Sequence, residues 1–205
     1  MIILPLLPFE LGIVKALASF IALAKPLALI ALAFADIIPG VVAITLSLFV
    51  WQKFRHGIKG REAVVVALVS GIVARLGITS FIRFFIDRPR PFEVFGIMST
   101  HETGHAFPSG HAAFFFGFAF ALWPYHRKAS ITMFAVAVGM GFARVAIAMH
   151  WPSDIVAGAV VGFLGAWVTR WGRRAFAKSD PSTPLDQARD KLLGMFFPKQ
   201  NKSAP

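Results

Sequence analysis

The sequence predicts an all-α membrane protein, a polytopic transmembrane helical bundle with five or six spans. Of the 205 residues, 57% are hydrophobic and only 15% are charged, whereas about 25% of an average soluble domain is charged. Several stretches of about twenty residues carry little or no charge, and a helix of that length crosses the roughly 30 Å hydrocarbon core of a bilayer. Lysines and arginines cluster between and after these stretches, which is typical of cytoplasmic loops.

Five spans are predicted in order along the chain. They cover residues 27–51, 62–85, 109–123, 131–149 and 153–171. The basic loop 52–61 separates the first two, and a basic turn at 124–130 precedes the fourth. Pro152 stands where the fifth span begins, a position that suits proline because an N–H there would have no partner within the helix.

The two ends of the chain are predicted to lie outside these five spans. Residues 11–24 are apolar but shorter than a span, and they include Lys15. Residues 1–26 therefore contain either a sixth crossing or, as we slightly favour, an interfacial or re-entrant helix. Residues 1–178 form a single transmembrane domain in this prediction. Residues 179–205 form a polar cytoplasmic tail, which either contains an amphipathic helix starting near Thr183 or is loosely ordered.

The formal net charge of +11 reflects membrane topology rather than binding to nucleic acid, because the basic loops fall on one side of the alternating spans. That side is predicted to be the cytoplasm. Segments 86–108 and 143–154 then lie on the opposite side, and they hold most of the polar chemistry of the chain. The absence of cysteine excludes disulfides and thiolate-bound metals.

The first polar motif contains Arg83, Arg88 and Arg90 at the outer end of the second span. Three guanidinium groups in so apolar a chain are costly unless they meet an anion, and the planar fork of arginine matches the oxygens of phosphate. Two alternatives remain open for this motif. The arginines either anchor the helix end among lipid head groups, or pair with Asp87 and Glu93.

The second motif, Ser109-Gly110-His111, opens the third span. Ser109 is suited to capping the helix, and free amides at a helix start beside a glycine form an anion site. His111 at the rim of such a site can donate a proton near neutral pH. The alternative is an ordinary cap followed by an interfacial histidine.

The third motif consists of Arg144, His150 and Asp154. A carboxylate four residues after a histidine, across a helix start, can accept the Nδ1 hydrogen and leave Nε2 available as a nucleophile or base. Arg144 adds a cation on the same side. The alternative is that the His150–Asp154 pair only ties two helix ends together.

Taken in order, these three motifs resemble the type 2 phosphatidic acid phosphatase (PAP2) family of membrane lipid phosphatases, which shares its site with vanadium haloperoxidases. The family pattern is Lys, six residues, Arg-Pro; then Pro-Ser-Gly-His; then Ser-Arg, five residues, His, three residues, Asp. The chain is similar to it from Arg83 to Asp154. Arg83 replaces the usual Lys, and Ala143 replaces the usual Ser. Because neither position supplies the nucleophile or the acid, we expect activity to survive both departures.

The resemblance implies a hydrolase with a core like that of the PAP2 and haloperoxidase proteins, working in two steps without a metal or other cofactor. In that implied mechanism His150 becomes phosphorylated, Asp154 orients it, and His111 protonates the leaving oxygen and then activates water. The groups implied to hold the phosphoryl oxygens are Arg83, Arg90, Ser109, Gly110 and Arg144. Arg88 falls outside the pattern, and we expect it to meet a second phosphate or a lipid head group.

Among family members, the compact chain is most similar to bacterial undecaprenyl-diphosphate phosphatases. The implied reaction converts undecaprenyl diphosphate to undecaprenyl phosphate plus phosphate at the outer face of the bacterial inner membrane, within cell-wall biogenesis. Phosphatidic acid, phosphatidylglycerol phosphate and lipid A, substrates of phospholipid and lipid A metabolism, remain alternatives. A non-enzymatic phosphate-lipid transporter is a distant alternative. The expected partners are the lipid phosphate and the bilayer, and the oligomeric state is open.

Two charged side chains lie inside the predicted spans and lead to a separate hypothesis. Asp36 and Arg75 lie about nine and ten residues from the outer ends of their spans, so at about 1.5 Å per residue they sit at similar depth. A lone charge in hydrocarbon is expensive. We therefore predict an ion pair between Asp36 and Arg75. The rival hypothesis is that Arg75 lines a water-filled path toward the substrate site.

Overall fold

A computed structural model describes residues 2–53, 58–97, 104–178 and 191, and it shows a helical bundle. The helices are α1 (Pro8–Ala22), α2 (Lys25–Leu32), α3 (Ile38–Lys53), α4 (Ile58–Ile72), α5 (Ser80–Phe85), α6 (Pro91–Val94), α7 (Gly110–Leu122), α8 (Arg127–Ala146) and α9 (Pro152–Lys178). Two short strands, β1 (Ile2–Ile3) and β2 (Ile86–Asp87), pair in parallel. The predicted helix of the tail falls outside the described residues except for position 191.

Within the described residues, four helical segments are long and apolar enough to cross a membrane. They are Lys25–Gln52, Arg61–Phe85, Arg127–Ala146 and Pro152–Ala175, and they correspond to the first, second, fourth and fifth predicted spans. The predicted third span is α7, which has only 13 residues and is about 20 Å long at 1.5 Å per residue. It is the buried centre of the bundle, packed against α4, α8 and α9.

Two of the four long segments contain a π-helical stretch in the middle. Ala33–Ile37 joins α2 to α3 and contains Asp36, and Val73–Thr79 joins α4 to α5 and contains Arg75. A π-helical stretch changes the direction in which the following side chains point, and such stretches are frequent at functional sites. Nothing in the apolar pattern of these spans predicted them.

Glycines let α9 lie directly against α7. A Cβ on Gly158 would lie 2.6 Å from the carbonyl oxygen of Ser109, and one on Gly162 would lie 2.6 Å from the backbone nitrogen of Gly117. Small residues four apart allow this close approach of two helices in a membrane protein. Next to this contact, the backbone N–H of Ser109 donates to the carbonyl oxygen of Asp154 at 3.0 Å. The packing thus fixes the start of α7 against the start of α9.

The N-terminal helix α1 packs on the end of the bundle where α5 ends and α7 and α9 begin, which we call the cavity end. Val14 is fully buried there, in a cluster with Phe92, Met149 and Trp151. Helix α1 has 15 residues and is not among the four membrane-length segments of the described chain. The prediction of an interfacial or re-entrant helix at residues 1–26 stays a prediction.

Candidate active site

A cavity of about 490 Å³ opens at the cavity end and brings residues of all three sequence motifs together. Its cationic and imidazole side chains are Arg75, Arg83, Arg90, His111, Arg144 and His150. Gly110 forms part of the wall between them. The arrangement concentrates positive charge and two imidazoles around one space, which suits an anionic ligand.

The second motif begins α7 as predicted. Ser109 is the N-cap residue, and its Oγ accepts a hydrogen bond from the Ala112 amide at 3.4 Å. A Cβ on Gly110 would lie 3.6 Å from Cγ of Arg75 and 3.9 Å from Nη2 of Arg83. A side chain at this position would therefore occupy space between the two arginines, and glycine leaves that space to a ligand.

The arginines of the first motif have two kinds of surroundings: two of them line the cavity and the third is buried. Arg83 lines the cavity, and its Nη2 donates to the carbonyl oxygen of Pro108 at 2.9 Å. Arg90 also lines the cavity, with Nε donating to the carbonyl oxygen of Gly104 at 3.2 Å. Glu93 accepts the backbone N–H groups of Arg90 and Gly104, at 2.8 and 3.2 Å. These backbone contacts hold the two arginines at the rim beside the start of α7.

The structure contradicts the expectation that Arg88 meets a second phosphate or a lipid head group. Its side chain is 2% exposed, and it is not among the described residues that line the cavity. Nη2 donates to Oε2 of Glu10 at 2.6 Å, and Nη1 donates to Oδ1 of Asp154 at 2.5 Å. A guanidinium buried to this degree needs paired carboxylates, and this fold supplies two.

Glu10 is a site-supporting residue that the sequence reasoning missed. It is fully buried, and its Oε1 accepts the backbone N–H of Ser153 at 2.9 Å. The available signal was one acidic residue in an apolar N-terminal segment. An isolated charge of this kind requires a partner, but its partners lie 78 and more positions away in the sequence.

His150 lies on the cavity wall, 1% exposed, with Asp154 behind it. Its Nδ1 is 3.6 Å from Oδ2 of Asp154, which is longer than a direct hydrogen bond. Oδ2 instead accepts the backbone N–H of Trp151 at 2.8 Å. Burial lowers the pKa of His150 to about 4, against the opposing effect of Asp154. The imidazole is therefore neutral at pH 7.

The turn before His150 holds one unusual conformation. Ala148 has a φ of 57°, in the left-handed region that non-glycine residues seldom adopt. Its carbonyl oxygen accepts the backbone N–H of Phe92 at 2.9 Å. The two residues that follow, Met149 and His150, both line the cavity. The turn therefore positions His150 on the cavity wall.

Arg144 contradicts the predicted pairing of Asp36 with Arg75. Nη2 of Arg144 donates to Oδ1 of Asp36 at 2.5 Å, and its Nε donates to the carbonyl oxygen of Ala35 at 3.2 Å. The prediction used depth alone, whereas helix phase decides which side chains meet. Arg75 instead lines the cavity.

In the described ranges, no group of three or more His, Cys, Asp or Glu side chains is placed to hold a metal ion. Within those ranges, carboxylates at and near the site contact arginine or histidine side chains. Asp154 and Glu10 contact Arg88, Asp36 contacts Arg144, and Oδ1 of Asp87 is 2.9 Å from Nδ1 of His105.

The four membrane-length helices and the arginine- and histidine-lined cavity at one end of the bundle describe a membrane protein with a site suited to an anionic ligand. The chain belongs to the PAP2 superfamily, whose family model matches residues 64–177. This confirms the family that the three motifs predicted.

Curated relatives carry names of lipid phosphatases and of a permease. Phosphatidylglycerophosphatase B of Escherichia coli K12 is 27% identical over 167 residues, covering 60% of this chain and 65% of that protein. Lipid A 1-phosphatase of Rhizobium etli is 40% identical over 104 residues, covering 45% and 41%. Bacitracin transport permease protein BcrC of Bacillus licheniformis is 28% identical over 116 residues, covering 55% and 57%. The matches thus span less than two thirds of these relatives.

Two solved structures share the fold. Aquifex aeolicus LpxE superposes with a TM-score of 0.61 at 21% identity, covering 83% of this chain and 99% of that one. A PAP2-type phosphatidylglycerolphosphate phosphatase from Bacillus subtilis superposes with a TM-score of 0.58 at 18% identity, covering 82% and 85%. The bundle is therefore that of multi-pass PAP2 membrane proteins.

Proposed function

We propose that this protein is an integral-membrane lipid phosphatase that works through a phosphohistidine intermediate. The observation that carries the proposal is the placement of His150. Its imidazole lies on a cavity wall shared with four arginines, and the carboxylate of Asp154 lies behind it. A neutral imidazole facing a cationic cavity is equipped for nucleophilic attack on phosphorus.

In the first step, Nε2 of His150 attacks phosphorus, and the bond from phosphorus to the oxygen of the leaving group breaks. His111, in the imidazolium form that a bound phosphate anion favours, gives its proton to that oxygen. In the second step, a water attacks phosphorus, His111 takes a proton from that water, and the phosphorus–nitrogen bond breaks. Inorganic phosphate leaves and His150 is again neutral. Asp154 stabilises the positive imidazole ring while it carries the phosphoryl group.

The arginines supply the electrostatic part of this mechanism. Phosphoryl transfer places negative charge on the equatorial oxygens, and fixed cations around them lower the barrier. Arg83, Arg90 and Arg144 are assigned to this clamp, together with Ser109 and the Gly110 amide at the start of α7. The contacts of Arg83 with Pro108 and of Arg144 with Asp36 fix two of these side chains before substrate binds.

The substrate we propose is a phosphate or diphosphate lipid, with undecaprenyl diphosphate as the preferred candidate. A cavity at the end of membrane-length helices suits a head group whose chain stays in the bilayer. The names of the relatives favour lipid A and phosphatidylglycerophosphate as alternatives. We place the site on the outer face of the bacterial inner membrane, because basic residues cluster at the other end of the spans.

Phosphate release by the purified protein in detergent with EDTA tests this function. We expect release from undecaprenyl diphosphate, phosphatidic acid or phosphatidylglycerol phosphate in the presence of chelator, and loss of release in His150→Ala. The matched control is His126→Asn, because His126 caps α8, with Nδ1 accepting from the Ala129 amide at 3.1 Å, and asparagine also caps helices.

A direct test of the intermediate uses substrate labelled with ³²P in the terminal phosphate. After rapid alkaline quenching, labelled protein is expected for the wild type and His126→Asn, and none for His150→Ala. Release that does not depend on His150 contradicts the mechanism. Absence of release from every lipid, with retained phosphate binding, favours a transporter, the class that the name of BcrC describes for that relative.

A further inference from the structure

Arg75 is a cation inside a membrane-length helix that the proposed mechanism does not use. It lies in the π-helical stretch Val73–Thr79, half-buried, and lines the cavity. It lies ten positions before Phe85, where its span ends, so its Cα is about 15 Å from that end along the helix axis. Among the described residues, no hydrogen bond or ion pair engages its guanidinium group.

An arginine at this depth without a fixed partner requires an explanation. A charged side chain inside the bilayer is expensive, and such residues ordinarily face a polar cavity and mark a functional site. The acid that lines the same cavity, Asp36, is held by Arg144 at 2.5 Å. Among the described residues that line the cavity, no other side chain is acidic, so an anionic ligand in the cavity would supply the negative charge that Arg75 lacks.

The position of Arg75 indicates which part of a ligand it meets. Its Cγ lies 3.6 Å from where a Cβ on Gly110 would be, so its stem lies against the first turn of α7, next to His111. Under the proposed function, His111 serves the leaving group. The Cα of Arg75 also lies about two helical turns further into the span than the Cα of Arg83, and the chain of a lipid substrate extends into the bilayer.

We propose that Arg75 binds the lipid-proximal phosphate of a diphosphate lipid and selects diphosphate over monophosphate substrates. The inference rests on the proposed function and names the substrate class. His150 attacks the terminal phosphorus, and the bond from that phosphorus to the bridging oxygen breaks. The bridging oxygen keeps the electron pair and accepts the proton of His111. The leaving group is a lipid monophosphate, whose remaining negative charge Arg75 compensates.

A matched pair of substrates tests this assignment. The kcat/KM values of farnesyl diphosphate and farnesyl monophosphate are measured in detergent with EDTA for the wild type, Arg75→Gln and Arg75→Lys. We expect the diphosphate-to-monophosphate ratio to fall at least tenfold in Arg75→Gln and to recover in part in Arg75→Lys. An equal loss with both substrates, or no loss, overturns the proposal.

Two further variants keep the test decisive. Gly77→Ala lies in the same π-helical stretch, and a Cβ there meets nothing within 4 Å, so its ratio should stay at the wild-type value. Arg75→Met removes the same charge with a side chain suited to apolar surroundings, and it replaces Arg75→Gln if that variant does not fold. If the wild type hydrolyses neither substrate, the proposed function itself is contradicted. If the wild type is active and the Arg75 variants keep its diphosphate-to-monophosphate ratio, only the role of Arg75 is contradicted.

Discussion

Arg88 and Asp154 form a buried ion pair of 2.5 Å across 66 positions of the sequence. The same guanidinium contacts Glu10 on α1 at 2.6 Å and Oγ of Ser153 at 2.7 Å. Asp154 is the carboxylate behind His150, so this network fixes the group that supports the proposed nucleophile. Because Glu10 precedes residues 64–177, the site depends on a helix outside the family match.

Replacing Arg88 should destabilise the fold strongly. Arg88→Met leaves two buried carboxylates without a cation, and breaking a buried pair in this way costs about 3–5 kcal/mol in the free energy of unfolding. Unfolding by denaturant in detergent micelles measures this change. Glu10→Gln should cost less, because the pair of Arg88 with Asp154 remains.

The control for this prediction is the exposed ion pair of Arg173 with Glu62, in which the arginine side chain is 47% exposed. Arg173→Gln should change the free energy of unfolding by less than about 1 kcal/mol, the usual range for surface pairs. Equal effects of Arg88→Met and Arg173→Gln would show that the buried network does not stabilise the protein.

The pairing of Asp36 with Arg144 predicts a specific energetic coupling. In a double-mutant cycle with Asp36→Asn and Arg144→Gln, the two effects on the free energy of unfolding should depart from additivity by about 1–3 kcal/mol. In the parallel cycle with Asp36→Asn and Arg75→Gln, the departure should stay below about 0.5 kcal/mol. A larger coupling to Arg75 than to Arg144 would restore the pairing predicted from depth.

The close approach of α9 to α7 predicts opposite outcomes for two glycines of one helix. In Gly158→Ala, the new methyl group meets the carbonyl oxygen of Ser109 at 2.6 Å, and such overpacking costs about 1–3 kcal/mol. In Gly172→Ala, nothing lies within 4 Å of the methyl group, and the better helix propensity of alanine adds up to about 1 kcal/mol. Thermal unfolding in detergent, with phosphate release alongside, compares the two. A stable and active Gly158→Ala protein would contradict the packing described.

The buried state of His150 predicts its titration. With its pKa lowered to about 4, the imidazole should stay neutral from pH 8 to about pH 5. NMR of ¹⁵N-histidine-labelled protein measures this, with the signal assigned by its loss in His150→Gln. An unfolded histidine titrates near 6.5, so the unfolded state binds more protons between pH 6.5 and 4, and stability decreases as pH falls through that window. Titration of the folded signal near 6.5 would contradict the prediction.

Local spacing accounts for what the sequence predicted correctly. Apolar length predicted where four membrane-length helices lie, because crossing a bilayer requires about twenty apolar residues whatever the packing. Ser109 caps α7 as its residue type indicated. His150 and Asp154 are four residues apart across the start of α9, so their proximity depends on local geometry. The role of each as a catalytic group stays a prediction.

Only the tertiary structure shows which arginine pairs with which carboxylate. Arg83, Arg88 and Arg90 look alike in the sequence, but only packing places Arg88 between Glu10 and Asp154 while the other two line the cavity. Asp36 and Arg75 matched in depth, but the direction of a side chain depends on helix phase, which two π-helical stretches alter. By itself, the sequence determined the membrane bundle and its motifs, because both depend on composition and short spacing. The ion pairs depend on contacts between distant segments, so only the packed bundle could define them.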